Sequence, residues 1–232
     1  VVTVEIDRHL VPLARQQFAN QDNVTLLELD ALKNKNQFDP LVIETIRARM
    51  ANISGARLKL VANLPYNVAT PIISNLLSIE PWPVRMVATI QRELADRICA
   101  QPRTKDYSAL SVWIQSQCRA EIVRIMPPTV FWPRPKVDSA ILDIQPQLVF
   151  RDRINDREHF HGLVRKIFLH RRKFLRSALV SAVKDRLDKA QVDEIMNSLD
   201  MGPTTRAEEL TPQQLIDLSH EVLRLSTLQS SN

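Results

Sequence analysis

The residues Asn63-Leu64-Pro65-Tyr66 have the types and order to act on a flat, amine-bearing ring. They follow the apolar run Leu58-Lys59-Leu60-Val61-Ala62, which predicts a buried strand that ends where the tetrapeptide begins. The Asn63 side-chain carbonyl and the Leu64 backbone carbonyl can both accept hydrogen bonds from a single NH2 group. Pro65 fixes its own φ and biases Leu64 away from helical geometry, which can aim that carbonyl into a crevice. Tyr66 offers a ring for base stacking. Adenine meets these demands and few other metabolites do. The plain alternative is a turn with an asparagine and a packed tyrosine, and Asn67 can simply start the next helix.

A second loop carries Phe131-Trp132-Pro133-Arg134-Pro135-Lys136. Aromatics between prolines and basic groups pair poorly into a strand ladder. Phe131 can close the second face of a base opposite Tyr66, with Arg134 and Lys136 near its phosphate. A hydrophobic plug is the other reading of this loop, and Trp132 fits it better than Phe131 does. Further on, Arg165 to Arg176 holds six Lys/Arg and no acid. Val164, Phe168, Leu175 and Leu179 recur at helical spacing, which predicts Arg165, Lys166, Arg172, Lys173 and Arg176 on the solvent side. Each phosphate contact there would add salt-dependent affinity, and a merely solvated basic face is the alternative.

Two carboxylates end predicted strands. Glu5 can accept hydrogen bonds from the vicinal hydroxyls of a ribose, or it can cap the following helix or pair with Arg8. Asp30, in Leu29-Asp30-Ala31, can accept from an exocyclic amine or serve a turn. With Asn63 at a third strand end, these groups are expected on one rim. Other candidates point away from chemistry. His159, His161 and His170 lack acidic or thiolate partners at ligand spacing, so no metal site is expected. Ser108 and Ser111 lack the glycine elbow of a serine hydrolase. Glu93, Asp96 and Arg97 match a paired helix surface, although Arg92 and Glu93 can also line a nucleic-acid path. Tyr107 fits an anchor for its loop. Cys99 and Cys118 sit in apolar patterns, consistent with reduced thiols in a cytosolic compartment.

The elements that must position these groups alternate. Strands are predicted at Val1–Ile6, Val24–Glu28, Leu58–Ala62, Val84–Ile90, Ala120–Met126 and Ala140–Ile144. Helices are predicted at Arg8–Ala19, with apolar face Leu10, Leu13, Ala14 and Phe18, and from Asp39-Pro40 to Met50. Others begin near Thr70-Pro71, with Thr70 as cap, or cover Arg92–Ala100 and Ser108–Gln117. This is an α/β sheet with helices on both faces and a crevice at the strand C-termini. Past Phe150 only helices are predicted: Glu158–Leu169, Arg171–Val183, Gln191–Leu199 and one capped by Thr211. Residues 1–150 thus read as a catalytic domain and 151–232 as a helical RNA-binding domain. Charge follows that division: residues 1–50 carry six Lys/Arg against seven Asp/Glu, whereas 151–190 carry twelve against five. The formal net charge is +5. No apolar run reaches membrane-spanning length. Only three glycines occur, and the chain opens directly on a predicted strand. A first strand with its glycine loop is therefore expected to be missing from this sequence.

Taken together, these residues resemble the ribosomal RNA adenine N6-dimethyltransferase family, from residue 1 to about 225. Asn63-Leu64-Pro65-Tyr66 resembles the family's catalytic motif. Phe131, in Phe-Trp-Pro-Arg-Pro-Lys-Val-Asp-Ser, resembles its second aromatic, and the tract from Gln91-Arg92-Glu93 to Ser111 is similar too. The resemblance implies a Rossmann-like class I methyltransferase fold and S-adenosylmethionine as cofactor, with no metal. It gives Glu5 the ribose, Ile6 the apolar contact with the cofactor base, and Asp30 the adenine. Ala31 and Asn63 join them at the cofactor site. The implied reaction is N6,N6-dimethylation of two adjacent adenines near the 3′ end of small-subunit ribosomal RNA. Its setting would be an immature subunit in the cytoplasm, with the enzyme a monomer. Lys136-Val137-Asp138-Ser139 and the helical tail look more like the small-subunit enzymes than the macrolide-resistance enzymes of the large subunit. A non-catalytic assembly factor on the same fold is a third reading.

Overall fold

Strand β1 (Val2–Glu5) runs parallel to β2 (Thr25–Glu28), in a register that sets Val2 beside Thr25 and Glu5 beside Glu28. The computed structural model describes residues 1–229, and residues 230–232 of the predicted helical domain lie outside the described residues. The chain forms two compact units, Val1–Ala88 and the remainder from Thr89. The division falls inside the segment 1–150 that the pattern groups together.

In the first unit, β1 leads through Asp7, whose backbone carbonyl accepts from the Leu10 and Val11 amides, into helix α1 (Leu10–Phe18). Only Val11 of this helix is buried; Leu10 and Leu13 are exposed, contrary to the expected apolar face. The inward stripe is instead Val11, Ala14 and Phe18, which also share a helical face by their spacing. A short hairpin, β3 (Leu32–Asn34) with β4 (Gln37–Phe38), was not anticipated. Its turn is local: the Asn34 side chain accepts from the Asn36 amide at 2.8 Å. Asp39 then caps α2 (Pro40–Ala51) by accepting from the Leu41 amide, with Pro40 at the tolerated first position.

Strand β5 (Lys59–Asn63) neighbours β6 (Arg85–Gln91), and α3 (Ala69–Leu76) lies between them in sequence. Neither β1 nor β5 contains a fully buried residue, which corrects the reading of β5 as a buried strand. Val61 is 78% exposed because β5 stands at the end of its sheet and alternates half-buried Leu60 and Ala62 with outward residues. The core of this unit is instead helical, with Ala69, Ile73 and Leu77 completely buried. Thr70 does not cap α3. That role needs a side-chain oxygen before the helix, whereas α3 grows out of a turn whose amides are held by the Pro65 carbonyl.

In the second unit the end of β6 neighbours β8 (Ser139–Pro146), which pairs antiparallel with β7 (Cys118–Met126). The register runs from Cys118 beside Pro146 to Met126 beside Ser139, with an irregularity at Val123. Helices α4 (Arg92–Cys99) and α5 (Ala109–Gln115) precede this pair. Ser108 and Ser111 are a reciprocal cap of α5, and Ser111 also donates to the Arg97 carbonyl at 2.6 Å. After α6 (Leu148–Arg151) come α7 (Arg157–Phe168), α8 (Leu175–Val183), α9 (Lys189–Ser198) and α10 (Pro212–Gln229). Helix α8 starts four residues later than expected. The Leu175 amide donates to the Thr205 carbonyl and Phe174 bridges to Arg206, so Arg171–Phe174 is held as a turn.

These helices share one core with α4, α5 and the β7–β8 pair. Trp113 stacks on His161 with ring centroids 4.2 Å apart and lies beside Phe160. Tyr107 is completely buried, packs edge-on to Phe168, and donates its hydroxyl to the Leu210 carbonyl at 2.9 Å. Its own carbonyl accepts from Arg171 at 2.5 Å, and Arg171 pairs with Glu208. The loop before α5 is thereby tied to the helical segment at both ends of one tyrosine. Tyr107→Phe is expected to leave the Leu210 carbonyl without its donor and to lower stability by about 1–2 kcal/mol. Urea unfolding, read as a shift in midpoint at constant slope, measures it.

Candidate functional site

The polar ends of β1 and β2 come together because the strands are parallel and in register. Glu5 ends β1 half-buried, and its Oε1 accepts from the Asp7 amide at 2.8 Å, leaving the second oxygen uncommitted. Asp7 performs the helix-start function, accepting from the His9 amide at 2.8 Å. Asp30, exposed two residues beyond the end of β2, accepts from the Leu32 amide at 2.9 Å through Oδ1. These local turn bonds occupy one oxygen of each carboxylate. Ile6 is 63% exposed, and Ala31 holds the Asp39 amide through its carbonyl. Glu5, Ile6, Asp30 and Ala31 thus stand at the C-terminal rim of one parallel pair.

Asn63 ends β5, which pairs with β6 and not with β1 or β2. Alternation at this strand end decides what is presented. Leu64 is buried at 6% exposure, while Asn63 before it and Pro65 after it are exposed. The Pro65 carbonyl accepts from the Val68 and Ala69 amides, both at 3.1 Å, which turns the chain directly into α3. Tyr66 is half-buried within that turn. An exposed amide anchored between a strand and a buried leucine can orient a planar ligand edge.

In the second unit, Phe131 follows the short helical turn Pro128–Val130, and its amide donates to the Pro128 carbonyl at 3.2 Å. Its ring is half-buried, and Arg134 and Lys136 are exposed. Trp132 is 95% exposed, so it plugs nothing. A clamp that spacing could not reveal closes this loop: Arg92 donates its amide to the Asp138 carbonyl at 3.0 Å and faces the Asp138 carboxylate at 3.3 Å. Forty-six residues separate the two partners, so no local sequence signal joins them. The adjoining cleft of about 370 Å³ is lined by Gln91, Arg92, Glu93, Asp96, Lys105, Asp106, Val137 and Asp138. Its carboxylates outnumber its cations, which disfavours a phosphate backbone there. The expected helix-surface pairing is present beside it, with Glu93 to Arg97 at 2.7 Å and Arg92 to Asp96 at 3.6 Å.

The basic segment divides. Arg165, Lys166, Arg172 and Lys173 are exposed, although Lys166 also donates to the Ala182 carbonyl at 3.3 Å. Arg176 is half-buried and gripped by Asp193 through two hydrogen bonds of 2.5 and 2.7 Å. Its charge is offset by Asp193 in a partly exposed pair, which its position in the sequence does not betray.

With this geometry in place, comparison with known proteins is decisive. The model of the family described as "Ribosomal RNA adenine dimethylase" matches residues 1–222. The chain belongs to the ribosomal RNA adenine dimethylase family. The "Ribosomal RNA small subunit methyltransferase A" of Halothermothrix orenii is 37% identical over 222 residues, covering 95% of this chain and 70% of that protein. The protein of the same name from Listeria innocua is 38% identical, covering 95% and 72%. Among solved structures, a dimethyladenosine transferase from Plasmodium falciparum superposes with a TM-score of 0.76 at 21% identity, covering 97% of this chain and 82% of that one. The 23S rRNA methyltransferase ErmE gives 0.58 at 19% identity, covering 96% and 81%. These two likenesses carry the fold, the class I methyltransferase α/β architecture. The dimethylase chain is accordingly an enzyme of the methyltransferase class.

The histidines of the dimethylase do not converge. His159 lies 3.3 Å from Arg186, His170 is exposed in a turn, and His161 is stacked on Trp113. Among the described residues no group of three metal-ligating side chains forms. Burial, with Arg165 adding to it, pushes His161 down to about 4 from its ordinary 6.5. Between those values the unfolded chain takes up a proton that the fold refuses, so stability falls as pH drops from 6.5 toward 4. The loss is expected to be on the order of 1–2 kcal/mol, allowing for the ring's partial exposure. Melting temperatures of the parent and His161→Phe should converge in acid relative to their difference at pH 7.5. A constant difference would show that His161 contributes no such pH dependence.

Proposed function

We propose that this dimethylase transfers methyl groups from S-adenosylmethionine to N6 of two adjacent adenines near the 3′ end of small-subunit ribosomal RNA. The observation that carries the reading is Asn63, exposed at the end of β5 beside a buried Leu64, in a chain of this family. The names of the relatives at 37% and 38% identity support the small subunit as the target. The proposed setting is an immature subunit in the cytoplasm, with the enzyme as a monomer. Among the described residues no helix is long and apolar enough to cross a membrane.

The residues present fit the nucleoside part of the cofactor. Glu5 offers a carboxylate oxygen suited to vicinal hydroxyls, and Asp30 offers one suited to an exocyclic amine. Ile6 and Ala31 supply apolar surface on the same rim. When bound, the cofactor supplies a methyl group on a sulfonium centre. The chain's own work is on the acceptor. An adenine amine is a weak nucleophile because its lone pair delocalises into the ring. Asn63 and the Leu64 carbonyl accept hydrogen bonds from the two amine N–H groups, hold the nitrogen out of resonance and direct its lone pair. Pro65 fixes the backbone that carries the second acceptor, and Tyr66 offers its ring to the extruded base; the family resemblance gives Phe131 the role of a second aromatic. Positioning and oriented dipoles do this work, and it calls for neither a general base before attack nor a metal. Arg134 and Lys136, with the exposed Arg165, Lys166, Arg172 and Lys173, contact phosphates; Arg176 contributes less because Asp193 holds it.

Two outcomes test the reading. Asn63→Ala is expected to reduce radiolabelled methyl transfer to immature small subunits by at least about a hundredfold, as loss of an oriented dipole does. RNA affinity should change little, and equal loss of both would remove the amine-orienting role. Charge reversal at Arg172 and Lys173 should weaken RNA binding and flatten its dependence on salt by about two units of logarithmic slope. Unchanged retention on RNA would take the turn off the binding surface. Mapping the labelled nucleotide on small and large subunits separates the two ribosomal targets.

A further inference from the structure

Among the described residues Trp132 is the most exposed large apolar side chain, at 95%, and nothing in the proposed methyl-transfer chemistry uses it. Leaving an indole in water forfeits the stabilisation its burial would give, so the position makes no sense as packing. The loop that carries it is stiff: Pro127, Pro128, Pro133 and Pro135 fix four backbone angles, and the Arg92–Asp138 clamp closes its end. The loop's own sequence is cationic, although the cleft at its Asp138 end is not. From Ile122 to Val137 there is no acidic residue, while Arg124, Arg134 and Lys136 are all exposed. Phe131 has extended backbone, φ −115 and ψ 149, so neighbouring side chains point to opposite sides. Phe131 accordingly turns inward, half-buried, and Trp132 turns out. Two rings so disposed cannot stack on the same base.

We propose that Trp132 is a second stacking site, which takes an unpaired base of the RNA strand flanking the target adenine while Arg134 and Lys136 hold the adjoining phosphates. The inference rests on the proposed RNA substrate. A rigid, exposed indole between cations is the arrangement that binds single-stranded nucleic acid without reading its sequence, because every base has a stacking face. It would hold the flanking strand while the target base leaves the stack.

The test is fluorescence of the whole chain with a single-stranded oligoribonucleotide and acrylamide as a neutral quencher. Trp113 is buried and Trp82 half-buried, so the signal of Trp132 is the difference between the parent and Trp132→Phe. RNA is expected to shield that signal from acrylamide. Trp132→Ala should bind the oligonucleotide about tenfold more weakly, and Trp132→Phe should recover most of the affinity. The side chain is solvated, so neither change leaves a cavity. Unaltered affinity in Trp132→Ala, an indole still open to acrylamide at saturating RNA, or shielding by ribosomal protein but not RNA would each overturn the proposal. RNA shielding without any methyl transfer would keep the stacking site and reject the enzymatic reading. Methyl transfer with Trp132 unshielded would do the reverse.

Discussion

The burial of Leu64 is the constraint on which the presentation of this protein's polar groups depends. A strand that runs into a helix must hide some side chain at the corner, or the turn is not fixed. Here that side chain is at 6% exposure, and the period of two then forces Asn63 and Pro65 outward. The Pro65 carbonyl completes the corner by holding the first amides of α3, so no side-chain cap is required. The tetrapeptide is thus one structural device: an apolar peg, a rigid carbonyl and an amide left facing solvent. A polar residue at 64 would release all three together.

The second unit has its own keystone in Tyr107. Its ring, hydroxyl and backbone carbonyl each meet a different part of the helical segment, at Phe168, Leu210 and Arg171. Arg171 is therefore a structural cation, half-buried against Glu208, although it stands in the same run as the exposed Arg172 and Lys173. The run of six basic residues is thereby sorted into those that hold the fold, Arg171 and Arg176, and those left for solvent or phosphate. Counting charges along a sequence overstates a binding surface for this reason: a guanidinium with a carboxylate in bidentate reach is already neutralised.

Much of this was legible from local rules. Asp39, Ser108 and Thr211 cap the helices they precede, because capping needs only a side-chain oxygen and the next turn. The ends of β1, β2 and β5 fall within a residue or two of where the apolar pattern stops. The dimethylase family was legible too, since its motifs are short and contiguous. What escaped depends on partners distant in sequence. Leu10 and Leu13 match a helical face as well as Val11 does, and only the surrounding fold chooses between them. The late start of α8 follows from Thr205 and Arg206, the pairing of Arg176 from Asp193, and the closure of the Phe131 loop from Arg92. The exposure of Trp132 escaped for a different reason, since hydrophobicity alone argues for the opposite.

Perturbed titration is often used to find active sites, and in this molecule it points elsewhere. Burial pushes Cys99 up to about 11, raises Cys118 and Tyr107, and lowers His161 to about 4. In each case desolvation is the main cause, and the neutral form is the one favoured. These groups pack α4, α5, β7 and α7 together, and none lies on the loop of Phe131 or at the end of β5. The marker is informative for reactions that move a proton in the rate-limiting step. A reaction that instead redirects a lone pair by hydrogen-bond acceptance needs fixed carbonyl dipoles, which do not titrate. For such chemistry the structural signature is geometric, an exposed amide beside a backbone carbonyl at one strand end, and it is on that ground that Asn63 and Leu64 are proposed for it.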